Sequence, residues 1–178
     1  MLRARMRFWA WTFLPRGCAL PTFVDSTDVH LWRIANARYP ALDGEGARLW
    51  GGRWNSPGRP VVYTSSTAAL AVLEKLVWVD PDDVPDDLEL FELFLPDAVT
   101  HERIDAPDLP DGWTEAGSPV CIERGDAWLA AMTAAVLVVP SAVLPEETNA
   151  LINPRHPEAR LARVLSSRLF SFDVRLIQ

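Results

Sequence analysis

Val61-Val62-Tyr63-Thr64-Ser65-Ser66-Thr67-Ala68-Ala69-Leu70-Ala71-Val72-Leu73-Glu74-Lys75-Leu76-Val77-Trp78-Val79 is the stretch from which the fold is read. Its first four residues are β-branched or aromatic and read as a short buried strand. Ser65 or Ser66 offers a hydroxyl cap, and the Ala- and Leu-rich run after it predicts a helix to about Val79, stopped by Pro81. That helix is apolar on every side, which predicts burial. Glu74 interrupts it, with Leu70 one turn before and Trp78 one turn after on the same face. A carboxylate there is costly unless paired. It is either one half of a buried ion pair with an arginine or an acid held at a pocket wall. Tyr63 faces away from Val62 and Thr64. It is either a core tyrosine or a platform for a flat ring.

Upstream, Val29-His30-Leu31-Trp32-Arg33-Ile34-Ala35 reads as a strand with Val29, Leu31 and Arg33 on one face. Arg33 therefore points to an apolar side. Residues 43–60 are glycine-rich and close on the turn signal Asn55-Ser56-Pro57-Gly58. Arg53 follows Gly51-Gly52, where backbone can approach a ligand closely. A guanidinium suits phosphate oxygens, although a solvated surface role is the default for any single arginine.

Downstream, the acidic run Asp80 to Asp87 reads as a solvated loop without calcium-loop spacing. Leu88–Leu95 reads as a strand, 96–119 as loop, and Gly125–Thr133 as a helix around Trp128. Ala135–Val139 is a buried strand, and Asn149–Asn153 a short extended piece. Pro157–Leu165 is a short helix, and Leu169–Leu176 is a half-buried alternating strand. Strands and helices intermix without a βαβ rhythm. The expectation is an α+β fold, one compact domain with a mixed, twisted β core and flanking helices.

Composition narrows the function. The chain has 178 residues, nearly half of them apolar, eight Trp and a net charge of −7. It can bury a real core, and its acidity disfavours non-specific binding to nucleic acid or anionic membrane. Lys75 is the single lysine. Cys18 and Cys121 form no CxxC, so a reducing, cytoplasmic setting is the default. Residues 1–28 carry Arg3, Arg5 and Arg7 before a short apolar run cut by Pro15 and Arg16, unlike a signal peptide. They are read as an extension or the product of an early start codon, expected to be poorly ordered, before a domain spanning 29–178. No stretch approaches the roughly 20 apolar residues of a membrane span. Gly44-Glu45-Gly46 starts like a dinucleotide fingerprint but lacks its third glycine, and neither a Walker A sequence nor a GxSxG elbow is present. His30, His101 and His156 are scattered, which supports neither a zinc site nor a serine triad. His156 reads as a loop cap.

Taken in order, several pieces resemble one family. They are Leu31-Trp32-Arg33-Ile34, Gly44-Glu45-Gly46-Ala47, Gly51 to Gly58, Val62-Tyr63 and Ala69 to Glu74. In the second half they are Val139-Pro140-Ser141, Asn149 to Pro157, and Phe172 to Leu176. The chain from about residue 29 onward resembles the RES domain, named for its Arg, Glu and Ser. The first 28 residues depart from it. The resemblance implies a core like that of ADP-ribosyltransferases and a toxin of a bacterial toxin–antitoxin pair. That toxin would cleave NAD at the nicotinamide–ribose bond by hydrolysis, phosphorolysis or ADP-ribosyl transfer to a protein. It implies Glu74, Arg53 and Tyr63 as catalytic residues, and Arg33, Arg53, Tyr63 and Ser141 as substrate-binding residues. It implies no metal and no resident cofactor, since NAD is the substrate and inorganic phosphate a co-substrate of the phosphorolytic variant. The implied partner is an Xre-like antitoxin with a helix-turn-helix, through which alone DNA is met. Oligomeric state and acceptor stay open.

Two other functions compete. A ribonuclease-type toxin is disfavoured by the acidic charge, the lone lysine and the absence of a His pair. A non-enzymatic partner-binding module leaves a buried Glu beside two Arg without a purpose, unless they form a structural ion pair.

Overall fold

The computed structural model describes residues 29–177. The proposed extension and Cys18 lie outside the described residues. Seven strands form one sheet in the order β4-β5-β6-β2-β1-β3-β7. They are β1 (Val29–Asn36), β2 (Val62–Ser65), β3 (Leu88–Leu95), β4 (His101–Arg103), β5 (Val136–Pro140), β6 (Thr148–Ile152) and β7 (Arg163–Phe170). Every pairing is antiparallel except β4 with β5. Three α-helices join them: α1 (Glu45–Trp50), α2 (Ala68–Leu76) and α3 (Pro119–Ala131). The expected α+β class with a mixed sheet is the fold observed.

The middle of the sheet is covered on both sides. Val136 and Val138 of β5 enter one apolar cluster with Leu31, Val62, Leu93 and Ile152. Leu137 and Val139 enter another with Trp54, Val61, Trp128 and Leu151. A strand buried on both faces needs an unbroken apolar run, and β5 has one.

The sheet is thinnest between β1 and β2. These strands share one paired position, Trp32 with Ser65, whereas β1 pairs with β3 along its whole length. The free carbonyl of Tyr63 accepts from Arg33 Nη1 at 2.9 Å, so a side chain replaces the missing ladder bond.

Several expectations need correction. The cap of α2 is Thr67, whose hydroxyl accepts from Leu70 N–H, not Ser65 or Ser66. The helix stops at Leu76 because its end tightens into three-residue turns, with Trp78 N–H bonding Lys75 O and Val79 N–H bonding Leu76 O. It is not buried all round: Leu70 and Ala71 are, but Leu73, Val77 and Trp78 are exposed. The glycine-rich segment contains α1, and the supposed 96–119 loop contains β4, whose polar His101-Glu102-Arg103 carries no apolar signal. Helix α3 starts earlier than expected, at Pro119, which suits the first helical position. The residues after Pro157 form a 3-10 turn to Leu161, and the last strand is β7 rather than 169–176. Its alternation runs on in sequence, but the Asp173 side chain accepts from Arg175 N–H and turns the chain into a 3-10 helix at Val174–Leu176. His156 does cap a turn, its Nδ1 accepting from Glu158 N–H.

Candidate active site

A cleft of about 690 Å³ opens where β1 and β2 diverge, within the size range of small-molecule sites. Arg33, Arg53, Tyr63 and Glu74 all line it, together with Trp32, Trp50, Lys75, Trp78 and Asn149. Residues from β1, the 51–55 loop, β2 and α2 thus converge as the sequence predicts.

Glu74 projects from α2 and is half-buried. Its Oε1 accepts two hydrogen bonds, from Ser141 Oγ and from Asn149 Nδ2, each 2.6 Å. Both donors are themselves held. Ser141, fully buried after β5, accepts at Oγ from Val143 N–H and Leu144 N–H. Asn149 on β6 accepts at Oδ1 from Ser65 Oγ at 2.8 Å. One carboxylate oxygen is therefore fixed by neutral donors, while Oε2 has no protein partner among the described residues. No arginine lies within ion-pair distance of Glu74 among the described residues, so the alternative of a buried Glu–Arg pair is not what folds.

The two arginines are held by backbone carbonyls instead of carboxylates. Arg33 gives Nη1 to Tyr63 O, and its Nε is buried without a partner. Burial pulls its pKa below the ordinary value, partly offset by Asp43. Arg53 gives Nη1 to Trp113 O at 3.0 Å and Glu115 O at 2.6 Å. Neither has a carboxylate within salt-bridge distance among the described residues. Their positive charge is thus left for an anion.

Tyr63 is committed at its hydroxyl. It donates to Asn55 Oδ1 at 2.7 Å and accepts from Trp54 N–H at 3.0 Å. Burial pushes its pKa up, so it stays a neutral phenol. The hydroxyl ties β2 to the 51–55 loop, while the ring forms part of the cleft wall. Gly52 is required beside it, because a Cβ there would sit 2.5 Å from the Tyr63 hydroxyl. The loop is also fastened to α3: Ser56 N–H and Oγ both bond Asp126, at 3.0 and 2.6 Å.

Asn149, Asn55 and Ser65 are the site residues that sequence reasoning missed. Asn149 opens the apolar run of β6, and a polar residue leading a buried strand is a usable signal. Asn55 looked only like a turn residue. Among the described residues no cluster of three potential metal ligands occurs, and no helix is long and apolar enough to cross a membrane.

Comparison with known proteins identifies the family and the fold. The family model described as the RES domain matches residues 30–174. The Prs ADP-ribosylating toxin of Sphingobium sp. (strain YBL2) is 42% identical over 154 residues, covering 83% of this chain and 96% of the relative. A protein named Toxin Res from Pseudomonas putida KT2440 is 40% identical over 136 residues, 75% of this chain and 90% of the relative. Among solved structures, a chain of the M. tuberculosis MbcT–MbcA toxin–antitoxin complex superposes with a TM-score of 0.62 at 19% identity. The match covers 82% of this chain and 86% of that one, a likeness of fold.

Proposed function

This chain belongs to the RES-domain family of toxins, and from that premise we propose that it cleaves NAD at the nicotinamide–ribose bond and transfers the ADP-ribosyl group. The observation that carries the reading is the state of Glu74. It is oriented through one oxygen by Ser141 and Asn149, unpaired with any described arginine, in a cleft that also holds two carboxylate-free guanidiniums.

The chemistry suits those groups. Nicotinamide leaves with the electron pair of the C–N bond and becomes neutral, while positive charge develops on the ribose as in glycoside cleavage. The free oxygen of Glu74 stabilises that cation or holds a ribose hydroxyl. Arg33 and Arg53 hold the pyrophosphate, with Arg53 anchored so that the fork need not reorganise. Tyr63 supplies a flat wall for the leaving ring and keeps the Arg53 loop in place through its hydroxyl. Ser141 acts through Glu74. The acceptor is water, inorganic phosphate or a protein side chain. The name of the Sphingobium relative favours the last.

The partner in this reading is an Xre-like antitoxin with a helix-turn-helix, in the cytoplasm, consistent with the fold neighbour being half of a toxin–antitoxin complex. The test is direct. Purified protein is mixed with NAD, with and without phosphate and with a lysate acceptor, and products are identified by mass spectrometry. Nicotinamide release is expected, and the fate of the ADP-ribose names the acceptor. Intact NAD under all three conditions sinks the proposal.

A further inference from the structure

Lys75 is the only lysine of the chain, and every other fixed cation is an arginine. It stands in the last turn of α2, beside Glu74. Ala71, Glu74 and Lys75 share one face of α2, and they line the cleft together with Trp78 of the turn that follows. The Lys75 side chain is half-buried. Among the described residues its ammonium has neither a hydrogen bond nor a carboxylate within salt-bridge distance.

Its charged surroundings are unfavourable. From β1 it meets the charge of Arg33, whose own Nε is buried and unpartnered. From the segment before β3 it feels Asp87, but that carboxylate is already engaged. Asp87 accepts from Asn36 Nδ2 at 2.6 Å and pairs with Arg38 Nε at 3.2 Å. Glu74, the adjacent carboxylate, is turned to Ser141 and Asn149. Burial first, and Arg33 second, hold the Lys75 ammonium below the usual lysine range, with Asp87 opposing them weakly. Arg33 and Lys75 receive only indirect compensation, from Asp43 and Asp87, neither of which forms an ion pair with them, so an anion bound against this wall gains from both charges.

We propose that Lys75 is a further substrate-binding residue, which with Arg33 forms an anion-binding wall of the cleft for the pyrophosphate oxygens of the dinucleotide. The proposal rests on the reading of the cleft as an NAD site. Arg33 supplies a planar fork and Lys75 a mobile point charge, a combination able to engage both phosphates of a pyrophosphate. The competing account is that the Lys75 stem merely covers apolar helix surface with its ammonium in solvent. That account predicts no response to ligand.

The single lysine makes the test specific. Reductive ¹³C-methylation, which keeps the charge, gives one lysine NMR signal beside that of the N-terminal amine, and the lysine signal is assigned by its absence in Lys75→Arg. The Lys75 pKa is followed alone, with saturating ADP-ribose, and with nicotinamide. ADP-ribose should raise it, and nicotinamide should leave it unchanged. In parallel, Lys75→Met should raise the Kd for ADP-ribose and the KM for NAD about tenfold, the scale of one lost charge-assisted hydrogen bond, with kcat little changed. Lys75→Arg should retain most of the affinity. If ADP-ribose binds the wild type, as thermal stabilisation would report, but the Lys75 signal does not move or Lys75→Met binds equally well, the Lys75 assignment is wrong and the NAD reading stands. If neither NAD nor ADP-ribose binds the wild type, the NAD reading fails and takes this inference with it.

Discussion

At the residue scale, the cleft separates groups that act on a ligand from groups that hold them. Glu74 Oε1 is occupied by Ser141 and Asn149, so Oε2 is the oxygen left to meet a ribose. Glu74→Gln keeps the size and much of the hydrogen bonding but loses the charge. It should leave the melting temperature within a few degrees and lower NAD turnover by about 10²–10³-fold, as for other preorganised electrostatic groups. A Gln variant with wild-type kcat would remove Glu74 from the chemistry. For the arginines the sensitive change is to lysine, because a point charge cannot make the bidentate fork. Arg33→Lys and Arg53→Lys should each weaken NAD binding measured by calorimetry. Equal affinity in both variants would return these residues to bracing Tyr63 O and the 113–115 backbone. The sequence made these four positions candidates one at a time. It left their partners unknown, because nothing in the pattern around Glu74 points to Asn149, 75 residues away.

At the element scale, the site depends on how α3 clamps the 51–59 loop. Gly125 lies in α3 where a Cβ would fall 1.8 Å from Trp54 O, a backbone atom that cannot swing aside. Replacing a helical glycine by alanine ordinarily gains up to about 1 kcal/mol of helix propensity. Overpacking against backbone costs about 1–3 kcal/mol or more, so the clash dominates here. Gly125→Ala should therefore be less stable than wild type in urea denaturation and should lose NAD binding, since Arg53 moves with the loop. A variant as stable as wild type would mean that α3 does not sit this close to Trp54. Hydrophobic pattern located most elements, and β3 has the bounds expected of it, Leu88–Leu95. It failed at β4, which is exposed and polar, and at the C-terminal strand, where alternation outlasts the ladder. It also misjudged α2, because an apolar surface on a helix is equally suited to lining an open cleft.

At the scale of the whole molecule, an acidic chain carries an apolar rim around its cleft. Trp50 is 85% exposed and Trp78 69%, and both border the opening beside Val77. Exposed aromatic side chains here suit a contact with a partner, and the net charge of −7 favours fast encounter with a basic surface at low salt. A partner segment that enters here with a carboxylate can pair with the free guanidiniums as phosphate does. Partner and NAD should then exclude each other. With rising partner concentration the apparent Kd for NAD should increase in proportion to free partner without a plateau. A plateau would place the partner elsewhere.

Local periodicity and short ordered motifs carry the α+β class and the family resemblance, and they single out Arg33, Arg53, Tyr63, Glu74 and Ser141 as candidates. The fold adds what that pattern does not hold: β1 and β2 touch at a single pair and open a cleft. It also has Glu74 held by neutral donors rather than by an arginine, and Lys75 lining the same cleft as Arg33 without an ion-pair partner among the described residues. The meeting of Glu74 with Asn149 depends on the strand order, which sets β6 beside β2 and β1 beyond it. A side chain's partners across a sheet depend on that order and register, and local pattern does not encode either.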